Sequence, residues 1–176
     1  MTEPAGFLWN ARVRLAPAVW ATVLDEYRQA RGSGQVRLWS VVPVGGADPC
    51  PELNEAALMR YLAEAVWYPT ALLPSAGVEW EPIDDRSARA TVKDGRTTAS
   101  LVFHVNGADE VERVSTEGRY RRVRGGFEPT PWTGRWAGYR TIEGVRVPTV
   151  GDVYWHLPDG DLHAWHGRVT RYASLD

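Results

Sequence analysis

Turn signals recur at short intervals through the second half of the chain. Asp94-Gly95, Asn106-Gly107, Gly125-Gly126, Glu143-Gly144 and Asp159-Gly160 each separate runs rich in β-branched and aromatic residues. Asn-Gly and Asp-Gly favour the left-handed backbone that two-residue hairpins need. Parallel strands need long crossovers, so turns this close together force antiparallel pairing. The runs predict strands over Val78–Ile83, Ser87–Lys93, Thr97–Val105, Val111–Val123, Phe127–Tyr139, Val145–Leu157 and Ala164–Tyr172. On Thr97–Val105, alternation turns Ala99, Leu101, Phe103 and Val105 inward and His104 outward.

The first half adds strands of the same kind. Phe7, Trp9, Ala11, Val13 and Leu15 alternate with Leu8, Asn10, Arg12 and Arg14, a period of two. Val19–Tyr27 fits either a strand or a helix, and is read as a strand. Gly32-Ser33-Gly34 is read as a break, Gln35–Val44 as a further β run and Gly45–Pro51 as a loop. One helix stands apart, Leu53–Trp67, with Leu58, Tyr61, Leu62, Ala65 and Val66 on one stripe. Asn54 is its expected cap, Arg60–Glu64 an expected surface pair, and Pro69 its expected end.

About nine or ten strands and a single helix predict a mainly β fold. A large antiparallel sheet curls as its twist accumulates, and something must fill its concave apolar face. The expected architecture is a half-barrel with the helix packed on that face, in a single domain over residues 1–176.

Composition narrows the function classes. Twenty basic residues stand against twenty-two acidic, which leaves no electrostatic footprint for nucleic acid. No apolar run approaches the ~20 residues that span a bilayer. The start, MTEPAGFLWNARVRL, lacks the basic and apolar regions of a signal peptide, so the expected location is cytoplasmic. Cys50 is the one cysteine, which rules out an internal disulfide or a cysteine-based zinc site.

Nine Trp and seven Tyr accompany only three Phe. Trp combines a large apolar area with an N–H that seeks a partner. Two uses fit: the wall of a ligand cavity, or a Trp-rich core. The candidate ligand-binding residues are Trp67, Tyr68, Trp80, Phe103, Trp132, Trp136, Trp155 and Trp165. Among carboxylates, Glu64 lies one turn before Trp67 and could serve as a general acid or base; it could equally be the surface partner of Arg60. Asp84 and Asp85, preceded by Glu79 and Glu81, could do acid–base work if buried near one another, although a solvated hairpin end accounts for them better. His163 and His166 are three apart, which on a plain strand puts them on opposite faces, and the turn at Asp159-Gly160 removes His156 from both. No metal site and no cofactor are expected.

The segment RYLAEAVWYPTALLPSAGVEWEPIDDRSAR, followed later by PTPWTGRWAGY and GVRVPTVGDVYWHLPDG, resembles a bacterial family of uncharacterised proteins. The shared signature is YLAEAVWYPTALLPS with a downstream WEPIDD, and the likeness runs over nearly the whole chain. It implies homology without a mechanism. The deduced architecture also looks like the half-barrels of lipoprotein carriers, which hold a lipid beneath a helical lid. The excess of Trp and Tyr on a curved sheet beneath a helix sets the functional expectation: binding of an apolar or amphipathic small molecule in an aromatic-lined cavity. The alternatives are a cytoplasmic isomerase or cyclase that uses a carboxylate in that cavity, and a protein-interaction domain.

Overall fold

Residues 5–173 are described by a computed structural model. The alternating N-terminal run forms β1 (Phe7–Ala16), and the ambiguous segment after Pro17 is a strand, β2 (Val19–Arg28). β3 (Arg31–Leu38) and β4 (Val42–Ala47) complete a four-stranded antiparallel meander. The β run expected over Gln35–Val44 is thus divided by a turn at Trp39 and Ser40, and part of the expected Gly45–Pro51 loop belongs to β4. Gly32 and Gly34 lie inside β3 and do not mark a break. A Cβ on Gly32 would stand 2.8 Å from Ala57 Cβ and 2.9 Å from the Leu53 carbonyl oxygen. The glycine is there because the main helix lies directly on the strand.

That helix is α1 (Pro51–Glu64), continued by short 3₁₀ turns as far as Ala76. Its cap is Cys50, with Pro51 at the first helical position, where the missing N–H costs nothing. Asn54, the expected cap, instead accepts the Gly32 N–H at 2.8 Å and pins the helix to β3. Leu58, Met59, Leu62 and Ala63 are buried, followed by Ala65 and Val66 in the first 3₁₀ turn.

The C-terminal meander is a seven-stranded antiparallel sheet. Its strands are β5 (Val78–Asp84), β6 (Ser87–Asp94), β7 (Thr97–Val105), β8 (Val111–Val123), β9 (Gly126–Ala137), β12 (Val150–Leu157) and β13 (Gly160–Arg168), in the order β13-β12-β9-β8-β7-β6-β5. A small ribbon, β10 (Arg140–Ile142) with β11 (Val145–Val147), projects between β9 and β12. The single strand expected over Val145–Leu157 is interrupted at Pro148, which has no N–H to give a ladder. Thirteen strands are therefore present among the described residues. The sheets stay open, and the fold is a mainly β antiparallel half-barrel with one main helix.

α1 lies between the two sheets, against β2 and β3 on one side and β7, β8 and β9 on the other. One core joins them: Tyr27 of β2, Leu58 and Leu62 of α1, and Leu101, Phe103 and Val114 of the large sheet belong to the same buried cluster. No helix among the described residues is long and apolar enough to cross a membrane.

The inner face of β9, β12 and β13 carries bare backbone beneath indole rings. A Cβ on Gly151 would meet Trp136 Cζ3 at 2.6 Å and Trp165 Cζ3 at 3.0 Å, and one on Gly167 would meet Trp165 Cζ2 at 2.2 Å. Gly151→Ala should therefore cost about 1–3 kcal/mol in urea unfolding, the usual range for overpacking. Gly107→Ala, where an added Cβ meets nothing within 4 Å, is the control and should change stability by less than about 0.5 kcal/mol.

Candidate functional site

The space between the two sheets is not filled throughout. Two adjoining cavities of about 260 and 240 Å³ open there, and both are bounded by Asp25 of β2, Arg60 of α1 and Arg119 of β8. The first is also lined by Phe7, Phe127 and Trp155. The second is lined by Trp9, Glu64, Trp67, Trp132, Trp136 and Trp165. A polar centre thus sits between aromatic walls.

Arg60 organises one side of that centre. Its Nε donates to Glu64 Oε1 at 2.6 Å, and an Nη donates to Asp25 Oδ2 at 2.8 Å. Its guanidinium carbon lies 5.0 Å from the Phe7 ring and 4.9 Å from the Trp9 ring, within cation–π range. The pair with Glu64 is present, but it is not a free surface pair. Only 19 % of the Arg60 side chain is exposed, and it ties α1 to β2. Arg60→Met leaves two carboxylates facing each other across the cleft. The expected loss is about 1–2 kcal/mol by denaturant melts. That is below the roughly 3–5 kcal/mol of a fully buried pair, because Asp25 stays in contact with water.

Arg119 is placed differently. It lies between two indoles, its guanidinium carbon 5.1 Å from the Trp132 ring and 5.3 Å from the Trp155 ring. Its Nε and one Nη share the Ala56 carbonyl oxygen at 3.3 and 3.2 Å. Among the described residues, no carboxylate comes within ion-pair distance of it. Burial, and then the nearby positive charge of Arg60, push its pKa down to about 10, against the pull of Glu64 and Asp25. It remains a cation at neutral pH, and an under-partnered one.

A β-bulge aims Arg119 inward. β8 pairs Thr116 with Trp132 but Arg119 with Thr130, so one residue is extra between them. An inserted residue reverses the alternation that follows it. Without it, Arg119 would point to solvent. The flanking sequence, Glu117-Gly118, carries the one available signal, a glycine inside a strand.

The indole N–H groups complete the arrangement. Trp67 donates to the Pro148 carbonyl at 3.0 Å and packs edge-on against Trp136 at 4.7 Å. Trp132 and Trp136 are 3 % and 4 % exposed, and neither buried N–H has a partner among the described residues. Buried donors without acceptors are rare in native proteins. Both residues line the second cavity.

Among the residues singled out from sequence, Glu64, Trp67, Trp132, Trp136 and Trp165 come together on the second cavity and Trp155 on the first. The other five, Tyr68, Trp80, Phe103, Asp84 and Asp85, lie elsewhere. Tyr68 turns back to donate to the Tyr61 carbonyl at 3.0 Å. Trp80 covers the edge of the large sheet, donating to the Leu72 carbonyl and packing on Phe103, which is core. Asp84 and Asp85 are exposed at the β5–β6 turn, where Asp84 accepts the Arg86 N–H at 2.8 Å. Hydrogen bonds from Ser87 and Arg86 hold the Asp84 carboxyl below the usual range, as an ordinary turn does. Asp25, Arg119 and Trp9 were not singled out as site residues.

The outer face of the large sheet holds a Thr133–His156–Asp161 chain, with contacts of 2.8 and 2.7 Å. Its connectivity is that of a hydrolytic triad. Thr133 is itself buried, and neither cavity reaches it, so substrate has no approach to the hydroxyl.

A family model described as a family of unknown function (DUF6920) matches residues 1–173. The chain belongs to this family. DUF6920 membership covers both sheets, the helix and every residue of the cleft. No curated protein and no solved structure matches the chain, so the chemistry of the cleft is read from its own residues.

Proposed function

We propose that the cleft binds a small amphipathic molecule carrying a carboxylate or a similar anionic group. The observation that carries this reading is the pair of orphaned indole N–H groups on Trp132 and Trp136, beside a cation that lacks a carboxylate partner. A ligand carboxylate offers acceptors to all three. Its apolar part would lie against Trp9, Trp67 and Trp165. Each cavity is smaller than the roughly 300–1,000 Å³ of drug-sized sites, which favours a short acyl chain or a single ring system.

The choice of probes follows from the charge. Octanoate and 1-octanol share a chain length and differ in the head. Octanoate should change Trp emission and raise the melting temperature, since a ligand held by the native state stabilises it. 1-Octanol should bind at least about tenfold more weakly. Equal binding of the two would remove Arg119 from the recognition. No response to either would remove the site.

The alternative reading is an enzyme using Glu64, which lines the second cavity. Glu64 is already clamped by Arg60 at 2.6 Å, so the geometry favours a positioned anion over a mobile proton carrier. Glu64→Gln separates the two: a binder keeps its octanoate affinity within a few-fold, whereas an acid–base enzyme loses turnover by roughly 10²–10⁴. The feature that favours an interaction domain is the exposed Trp39, Val41, Val42 and Val44 at one end of the four-stranded sheet.

A further inference from the structure

The outer face of β12 and β13 carries a side-chain cluster that the cleft does not use. We propose that Asp152, His163 and His166 form a binding site for a divalent transition-metal ion of the zinc class, with at least one coordination position open to solvent.

The placement depends on one irregularity. Pairing steps from Val153 opposite Trp165 to Tyr154 opposite His163, so Ala164 is the extra residue of a β-bulge. The bulge turns His163 onto the face that His166 already occupies, against the expectation that a three-residue spacing separates them. Asp152 sits directly across from His166. Trp165 between them still points inward, onto the second cavity.

The side chains then converge. Asp152 Oδ1 lies 2.8 Å from His163 Nε2 and 2.8 Å from His166 Nδ1. One ligating atom from each residue falls within 4.8 Å of the other two. Zinc ligands at about 2.0–2.2 Å in tetrahedral geometry stand roughly 3.3 Å apart, so small side-chain rotations suffice. Two imidazoles and a carboxylate suit zinc, nickel, copper or iron, whereas magnesium and calcium prefer oxygen alone. Three protein ligands leave a tetrahedral ion one position for water.

The surroundings hold the rings in place. Tyr154 stacks on His163 with centroids 4.6 Å apart and planes at 12°. Both histidines are exposed, so an ion reaches them without opening the fold. The metal replaces the two hydrogen-bonding protons, which move to the other ring nitrogens. Its mechanical effect is to tie β13, the outermost strand, to β12.

The test uses the full chain without a polyhistidine tag, titrated calorimetrically with Zn²⁺, Co²⁺ and Ni²⁺. The expected result is one Zn²⁺ per chain at an affinity on the order of micromolar, with visible Co²⁺ bands showing low-symmetry coordination, and no response to Mg²⁺. His163→Ala, His166→Ala and Asp152→Asn should each weaken Zn²⁺ binding by about tenfold or more. His156→Ala should leave it unchanged, because His156 is held apart by Thr133 and Asp161. Far-UV circular dichroism checks that each variant is folded. Affinities that the three variants do not change, or that His156→Ala changes equally, would mean a hydrogen-bonded surface cluster and no metal site. The outcome is independent of the cleft: His163→Ala should respond to octanoate as the unaltered chain does.

Discussion

Arg119→Met is expected to weaken octanoate binding by about 10²-fold while leaving the unliganded domain as stable as before or slightly more so. The two effects come from one geometry. A charge-assisted hydrogen bond to a carboxylate contributes roughly 1.5–3 kcal/mol, and a bidentate contact approaches the upper end, which is close to a hundredfold in Kd. In the free protein that same guanidinium is stacked between Trp132 and Trp155 and, among the described residues, hydrogen-bonds only to the Ala56 carbonyl. It is a desolvated cation whose compensation is incomplete. Methionine fills similar volume between the indoles and removes the charge. Binding sites often hold groups that the fold alone would do better without. Arg119→Lys should rescue little, because an ammonium neither stacks flat between two rings nor presents a planar fork. Isothermal titration with octanoate and a urea melt of the same sample read both halves. A variant that loses binding only by unfolding would show Arg119 to be structural.

The part of the molecule that alternation controls is legible in the sequence. β7 and β8 run over Thr97–Val105 and Val111–Val123, the expected spans, because Ala99, Leu101, Phe103 and Val114 are apolar and inward and the turns at Asp94-Gly95, Asn106-Gly107 and Gly125-Gly126 separate the strands. α1 followed from its stripe. What stayed hidden is of three kinds. Some turns are made by residues with no turn preference: Gln29 and Ala30 adopt φ of 53° and 60°, and Trp39 and Ser40 adopt 50° and 63°, where glycine or asparagine is usual. Some glycines mean packing: Gly32 makes room for α1, and Gly151 and Gly167 make room for indoles.

The third kind decides the chemistry. One extra residue near Gly118 turns Arg119 into the cleft, and one at Ala164 brings His163 and His166 together. Alternation is a parity, and a single insertion inverts it for every residue beyond. Arg119 in isolation reads as part of the basic stretch with Arg121, Arg122 and Arg124. The Trp set was easier, because alternation alone puts Trp132 and Trp136 on one face of their strand and Trp155 on a face with Val153. Which of them would border space and which would fill the core depended on where the four-stranded sheet sits, and no local pattern carries that.

Leu62→Ala is expected to cost about 2–5 kcal/mol, the range for truncating a buried leucine. Leu62 is fully buried on α1, in the cluster that includes Tyr27 from the small sheet and Leu101 and Phe103 from the large one. Its loss therefore removes contacts on both sides of the helix. The site has little freedom to collapse, since α1 is pinned to β3 by Asn54 and to β2 by Arg60. Those anchors favour the upper part of the range, as the cavity left behind stays open. Leu73→Ala is the control: Leu73 is 49 % exposed, and its truncation should cost under about 1 kcal/mol. The shape of the transition carries a second result. If α1 couples both sheets into one unit, far-UV circular dichroism and Trp fluorescence should report coincident urea midpoints in the parent and in Leu62→Ala alike. Two separated transitions, with only one displaced by the substitution, would show that the four-stranded meander unfolds on its own. The cleft would then be a boundary between two units that open independently, and octanoate should bring the two midpoints together by binding across it.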